Sequence, residues 1–206
     1  MKDNKWLEKL ETHGFICGCP MAECMDGMQE DIMEKIDEWC DDLDASCNIL
    51  WIRGFPGVGK SAIAQKLASK LKFSHHLGWS FFFQHELVTV QTPVNFWHTV
   101  AFDLFCEYPS ARSAIITKLK DNEIDLENID AKELFRSLIK DPLKQSSDIL
   151  LGSLPVVVID GIDECSGLDG SRSKHWKILL EGFKTWTRLG PQFKLVVTSH
   201  PEDDIF

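Results

Sequence analysis

Apolar residues along this chain form two kinds of pattern, which alternate from residue 28 onward. Short, nearly continuous apolar runs predict four buried strands, at residues 48–52, 77–83, 154–159 and 193–198. Apolar residues at three- and four-residue steps predict helices, at residues 28–43, 61–71, 92–107, 109–120, 131–140 and 176–189. The alternation of strands and helices predicts an α/β fold in which helices cover a parallel sheet.

The N-terminal part of the chain shows neither pattern. Residues 1–27 contain glycines and a proline that interrupt any long helix. In the first predicted helix, by contrast, Ile32, Ile36, Trp39 and Leu43 fall at three- and four-residue steps. We therefore predict an irregular extension at residues 1–27 and one domain at residues 28–206.

Composition narrows the class of protein. The length of 206 residues and the hydrophobic content of 44% suit a single α/β domain. The net charge of −10 argues against DNA or RNA as a partner, because nucleic-acid-binding surfaces are usually basic. No apolar run is long enough to span a membrane, and the charged N-terminus lacks the apolar core of a signal peptide. An odd, unevenly spaced set of 7 cysteines is typical of free thiols, so we expect a cytoplasmic protein without a membrane partner.

A phosphate-binding motif follows the first predicted strand. Its eight residues fit G-x-x-x-x-G-K-[ST] and are Gly54, Phe55, Pro56, Gly57, Val58, Gly59, Lys60 and Ser61. In such a loop the backbone N–H groups face an anion, the lysine reaches the β- and γ-phosphates, and the serine hydroxyl binds Mg²⁺. The helix that follows adds its N-terminal dipole, which favours negative charge. The motif therefore predicts a site for a nucleoside triphosphate with Mg²⁺.

An acidic motif follows the third predicted strand. Asp160 stands at the carboxyl end of this strand, where open α/β sheets bind ligands. Asp160 is thus a candidate to hold Mg²⁺ directly or through water. Asp163 and Glu164 come just beyond it, and one of them, Glu164 in preference, is a candidate general base for an attacking water.

A third, polar motif ends the fourth predicted strand. Thr198, Ser199 and His200 precede Pro201, and any of the three could sense a γ-phosphate at the same edge of the sheet. Alone, this sequence is typical of a polar turn that a proline ends. Because this motif follows the acidic strand in the sequence, its interpretation as part of a nucleotide site becomes more plausible than it would be alone.

Together, in this order and spacing, the three motifs resemble those of the NACHT group of signal-transducing P-loop NTPases, including the fungal NLR-like proteins and the nephrocystin-3-like N-terminal domain. The similarity runs from about Cys24 to Pro201. It implies a P-loop NTPase fold, a three-layer α/β/α arrangement with a mostly parallel sheet. It also implies a nucleotide-dependent switch that forms homo-oligomers or associates with full-length NLR-like relatives. The repeats and winged helix of such proteins are missing here, so we expect a truncated module whose fold is incomplete at the C-terminus.

The chain departs from the NACHT pattern at two positions. His200 stands where the family commonly has Arg, and Gly27-Met28-Gln29 stands where it often has Gly-Thr-Arg. Arginine would bring a permanent charge and a fork of donors that histidine does not have. We therefore expect nucleotide binding with slow hydrolysis.

Two other functions remain open. One is a nucleotide-binding interaction module that does not hydrolyse its ligand. The other is a small-molecule or nucleotide kinase, which the sequence disfavours because it lacks an arginine-rich lid. The three motifs do not distinguish ATP from GTP as the ligand. The sequence contains no guanine-reading Asn/Thr-Lys-x-Asp element, which slightly favours ATP.

Overall fold

The computed structural model describes residues 30–83, 92–121, 124, 130–145, 155–165 and 172–201. The extension predicted for residues 1–27 lies outside these ranges. The helices are α1 Glu30–Asp41, α2 Lys60–Phe73, α3 Pro93–Glu107, α4 Pro109–Lys120, α5 Ala131–Phe135, α6 Asp141–Gln145 and α7 Arg172–Trp186. A π-helical segment, Arg136–Lys140, joins α5 to α6. The strands are β1 Ile49–Arg53, β2 Leu77–Phe82, β3 Val156–Asp160 and β4 Lys194–Ser199.

The four strands form one parallel sheet in the order β1-β4-β3-β2. The last strand in the sequence therefore lies between the first and the third. Since parallel strands all end at the same edge, the residues after β1, β4 and β3 meet there in that order.

Helices cover both faces of this sheet. In β3, Val157 and Ile159 pack into the larger core, while Val156 and Val158 pack into the smaller one. This alternation follows from the two-residue period of a strand. The larger core contains residues of α3 to α7, and the smaller one contains residues of α1 and α2. The predicted α/β fold is confirmed, in the three-layer α/β/α form typical of P-loop proteins.

The buried face of α1 differs from the one that the sequence spacing indicated. Met33, Ile36 and Cys40 are buried, whereas Ile32 is 43% exposed and Leu43 is 54% exposed. The helix ends at Asp41, so Leu43 lies beyond the last turn and does not continue the apolar row. Ile36 is shared by both rows, which is why the spacing alone did not separate them.

The helix predicted at residues 131–140 is longer than expected. It continues through the π-helical segment and α6 to Gln145, and Pro142 lies within α6. Proline lacks the N–H donor that a regular helical turn needs. The wider π-turns directly before Pro142 accommodate this residue without ending the helix.

Candidate functional site

The three sequence motifs lie side by side at one edge of the sheet. β4 pairs with β1 on one side and with β3 on the other. Neighbouring strands are about 4.8 Å apart, so the ends of β1 and β3 are separated by about 10 Å. The phosphate-loop motif after β1 and the acidic motif after β3 therefore flank the polar end of β4.

The phosphate-loop motif joins β1 to α2 in a tight turn. Gly57 and Gly59 have φ angles of 81° and 88°, which only glycine adopts readily. Gly59 is the N-cap residue of α2, and no described side chain caps this end of the helix. Glycine has no side chain that could accept from the N–H groups of the first turn of α2, as is common at helix ends that bind anions.

Lys60 is held inside the loop by two backbone carbonyls. Its side chain is nearly buried, and Nζ donates to the carbonyl oxygens of Gly54 at 2.7 Å and Phe55 at 3.1 Å. An ammonium group has three N–H donors, so these bonds leave one for a ligand. Phe55, Val58 and Ser61 are exposed, which leaves the outer side of the loop open to solvent.

Asp160 is the last residue of β3 and is bonded to the neighbouring strand. The Thr198 hydroxyl donates to Asp160 Oδ1 at 2.5 Å and accepts from the Gly161 N–H at 2.9 Å. Asp160 is 6% exposed. The sequence had suggested Thr198 only as a phosphate sensor; the structure makes it the residue that orients the Asp160 carboxylate. Its place at the end of the fourth predicted strand was the only sequence signal for this contact.

Asp163 and His200 form a pair across the same edge. The His200 N–H donates to Asp163 Oδ1 at 3.1 Å, and His200 Nδ1 lies 2.5 Å from Asp163 Oδ2. The Asp163 side chain is 7% exposed, whereas that of His200 is 35% exposed. Both carboxylate oxygens of Asp163 are thus engaged by one residue, and the sequence did not predict this contact.

Ser199 connects β4 to β1 instead of facing a ligand. The Trp51 Nε1–H donates to Ser199 Oγ at 2.8 Å, and the Ser199 hydroxyl donates to the His200 carbonyl at 2.8 Å. The Gly54 N–H donates to the Ser199 carbonyl at 3.3 Å. Ser199 has no exposed surface. The start of the phosphate-loop motif is therefore bonded directly to the polar end of β4.

Glu164 ends the short 3₁₀ turn Ile162–Glu164 after the acidic strand. A Cβ atom on Gly161 would lie 3.5 Å from Glu164 Oε1, so this carboxylate lies close to the backbone just beyond Asp160. Glu164 is partly exposed. Of the two acids proposed as the general base, it is the one that the His200 contact does not occupy.

Cys165, next to Glu164, is buried, and this burial raises the pKa of its thiol to about 12. At neutral pH the group is therefore a thiol, which is a poor nucleophile.

Within the described ranges, no group of three or more His, Cys, Asp or Glu side chains could hold a metal ion. Mg²⁺ does not need such a cluster, because it is usually held by one or two carboxylates together with substrate phosphates and water. None of the described helices combines the length and apolar character needed to cross a membrane.

Comparison with known proteins identifies the family. The sequence model of the family described as nephrocystin 3, N-terminal, matches residues 29–200. No curated protein and no solved structure matches the chain. The matched range begins beside the first residue of α1 and ends at His200, so it includes all three motifs. This chain belongs to the nephrocystin 3 N-terminal family.

Proposed function

We propose that this chain is a NACHT-type nucleotide-binding module, which binds ATP or GTP with Mg²⁺, hydrolyses it slowly and acts as a signalling switch. One observation carries the proposal: the phosphate-loop motif and Asp160 flank the polar end of β4 at a single edge of the sheet. Ligands bind at this edge in open α/β sheets.

The loop binds the phosphates of the nucleotide. Backbone N–H groups around Gly57 and Gly59, with those of the first turn of α2, supply donors for the phosphate oxygens. Lys60, already directed into the loop, contributes the charge. The exposed outer face of the loop is where the ligand enters.

Ser61 and Asp160 hold the magnesium ion. Both offer hard oxygen donors, which Mg²⁺ prefers. Thr198 contacts Oδ1 of Asp160, and no donor in the described part of the chain contacts Oδ2, so the residues fit the ion. When bound, Mg²⁺ neutralises negative charge on the β- and γ-phosphate oxygens.

Glu164 serves as the general base in hydrolysis. Glu164 is a partly exposed residue whose carboxylate lies close to Gly161, just beyond Asp160, and it accepts a proton from the attacking water. His200, at the end of β4 between the two other motifs, senses the γ-phosphate. Hydrolysis is slow because histidine replaces the arginine that would supply a permanent charge there.

The signalling role rests on the family and on the order of the motifs. We propose that the module acts in the cytoplasm, and that its partners are further copies of this chain or full-length NLR-like relatives. Nucleotide exchange would change which of these partners it binds.

A second candidate is a nucleotide-binding interaction module without hydrolysis. The residue at position 200 favours it, because histidine lacks the permanent charge and the fork of donors of an arginine. The two candidate functions predict different rates of nucleotide hydrolysis but the same nucleotide affinity.

Calorimetric titration with Mg·ATP and Mg·GTP, together with a phosphate-release assay, tests the proposal. We expect one of the two nucleotides to bind and to be hydrolysed slowly. Binding without phosphate release would favour the interaction module. Failure of both nucleotides to bind, in a protein that melts cooperatively, would refute the nucleotide site.

A further inference from the structure

We propose that Asp163 is a positioning residue, which fixes the His200 ring so that Nε2 faces the terminal phosphate of the bound nucleotide. This inference rests on the proposed function, and it assigns to Asp163 a role other than that of general base.

The geometry of the pair supports this assignment. Asp163 receives the backbone N–H of His200 on one oxygen and ring atom Nδ1 on the other, so it fixes both the main chain and the ring. A carboxylate only accepts hydrogen bonds, and Nδ1 therefore carries a proton. Nε2, on the opposite side of the ring, is the nitrogen left for a ligand.

Burial distinguishes the two partners. The Asp163 side chain is 7% exposed, which keeps it from a substrate water, whereas the His200 side chain is 35% exposed. The inner residue thus orients, and the outer residue meets the ligand. The same division of roles exists in hydrolase triads, where a buried aspartate sets the tautomer of the catalytic histidine and stabilises its imidazolium form.

The pair offers a substitute for the missing arginine. When a γ-phosphate approaches, the His200 ring can lie between the Asp163 carboxylate and the phosphate, with Nδ1 directed to the first and Nε2 to the second. Asp163 thus fixes the direction of a ring that, unlike the arginine fork, has only one nitrogen left for the phosphate. A diphosphate lacks the γ-phosphate, so the pair should strengthen triphosphate binding selectively.

A double-mutant cycle tests the inference on the full chain. We compare the wild type, Asp163→Asn, His200→Ala and the double variant. For each protein we measure the dissociation constants of two ligands, Mg·ADP and the magnesium complex of the non-hydrolysable triphosphate β,γ-imido-ATP. The corresponding guanine nucleotides are measured in parallel. Asparagine keeps the shape of Asp163 but places an amide, not a carboxylate, against the ring. In each single variant, the ratio of triphosphate affinity to diphosphate affinity should fall about tenfold. In the double variant this ratio should fall no further than in either single variant.

The outcomes are distinct. If Asp163→Asn leaves the preference for triphosphate over diphosphate unchanged, the inference is overturned. The inference is also overturned if Asp163→Asn reduces this preference as much in the His200→Ala variant as in the wild type, because Asp163 would then act independently of His200. A wild type that binds neither nucleotide overturns the proposed function, and this inference with it. Nitrogen NMR of the nucleotide-free protein gives a second readout: Nδ1 of His200 should carry the proton, and an Nε2–H tautomer would contradict the inferred orientation.

Discussion

Glu164 and Asp163 are adjacent in sequence but differ in their surroundings. His200 contacts both oxygens of Asp163, whereas Glu164 is a partly exposed residue near the end of β3. We therefore expect Glu164→Gln to bind nucleotide like the wild type and to hydrolyse it about 10²–10⁴-fold more slowly, because the proposed general base is lost. Affinity by calorimetry and phosphate release under single-turnover conditions measure the two effects separately. Unchanged hydrolysis in this variant would remove Glu164 from the mechanism.

His98, on α3, provides a test by pH. Its side chain is 8% exposed, Nε2 has no hydrogen-bond partner within the described structure, and burial lowers the pKa of the ring below its ordinary 6.5. The unfolded chain therefore binds a proton near pH 6.5 that the folded chain does not bind. The stability associated with neutral His98 is complete above pH 6.5 and is lost as the pH falls toward the lower, folded-state value.

Substitution of His98 should therefore reduce acid sensitivity. We expect the free energy of unfolding of His98→Leu and of His98→Gln, relative to the wild type, to rise by about 1 kcal/mol between pH 7 and pH 5. Urea unfolding at several pH values measures this change. Parallel pH profiles for all three proteins would show that His98 does not titrate differently on folding.

At this scale, candidate site residues could be named from the sequence, but their contacts could not be predicted. Lys60, Asp160 and Glu164 stand at recognisable positions in local motifs. The contacts of Thr198 with Asp160 and of His200 with Asp163 join residues 38 and 37 positions apart. Such contacts depend on which strands are neighbours, and no local spacing contains that information.

Among the elements, α1 is held against the sheet by a buried lysine as well as by apolar packing. Lys194, the first residue of β4, has no exposed surface; its Nζ donates to the Asp42 carbonyl at 2.6 Å and lies 4.5 Å from the Trp39 ring centroid. Burial lowers the pKa of Lys194, and the charge of Asp42 opposes this shift. The end of α1 is thus fixed beside the start of the central strand. From the sequence, Lys194 is only a polar residue at the beginning of a strand.

Two isoleucines on α1 offer a matched comparison of a buried and an exposed position. Ile36 is 3% exposed in the smaller core, and Ile32, one turn earlier, is 43% exposed. Ile36→Ala should lower the free energy of unfolding by about 2–5 kcal/mol, because it removes buried methyl groups and leaves a cavity. Ile32→Ala makes the same chemical change on the same helix, and it should cost less than about 1 kcal/mol because Ile32 is already partly in contact with solvent. Similar losses in urea unfolding of the two variants would contradict the observed orientation of α1.

For the whole molecule, the sequence predicted the architecture but not the order of the strands. Continuous apolar runs between amphipathic helices are sufficient to indicate a parallel sheet with helices on both faces. They do not show that β4 lies between β1 and β3, because strand order depends on long-range packing of whole helices. This order is what brings the polar end of β4 between the phosphate-loop and acidic motifs.

The central claim is that this edge of the sheet binds the phosphates of a nucleotide through the loop and Lys60. Lys60→Ala tests it most directly, with Lys66→Ala as control, because Lys66 is an exposed lysine on the same helix outside the loop. Calorimetric titration with Mg·ATP should show at least about tenfold weaker binding in Lys60→Ala, or roughly 1.4 kcal/mol, since a charge-assisted contact to the phosphates is lost. Lys66→Ala should bind like the wild type. Equal affinity of Lys60→Ala and the wild type would contradict the account.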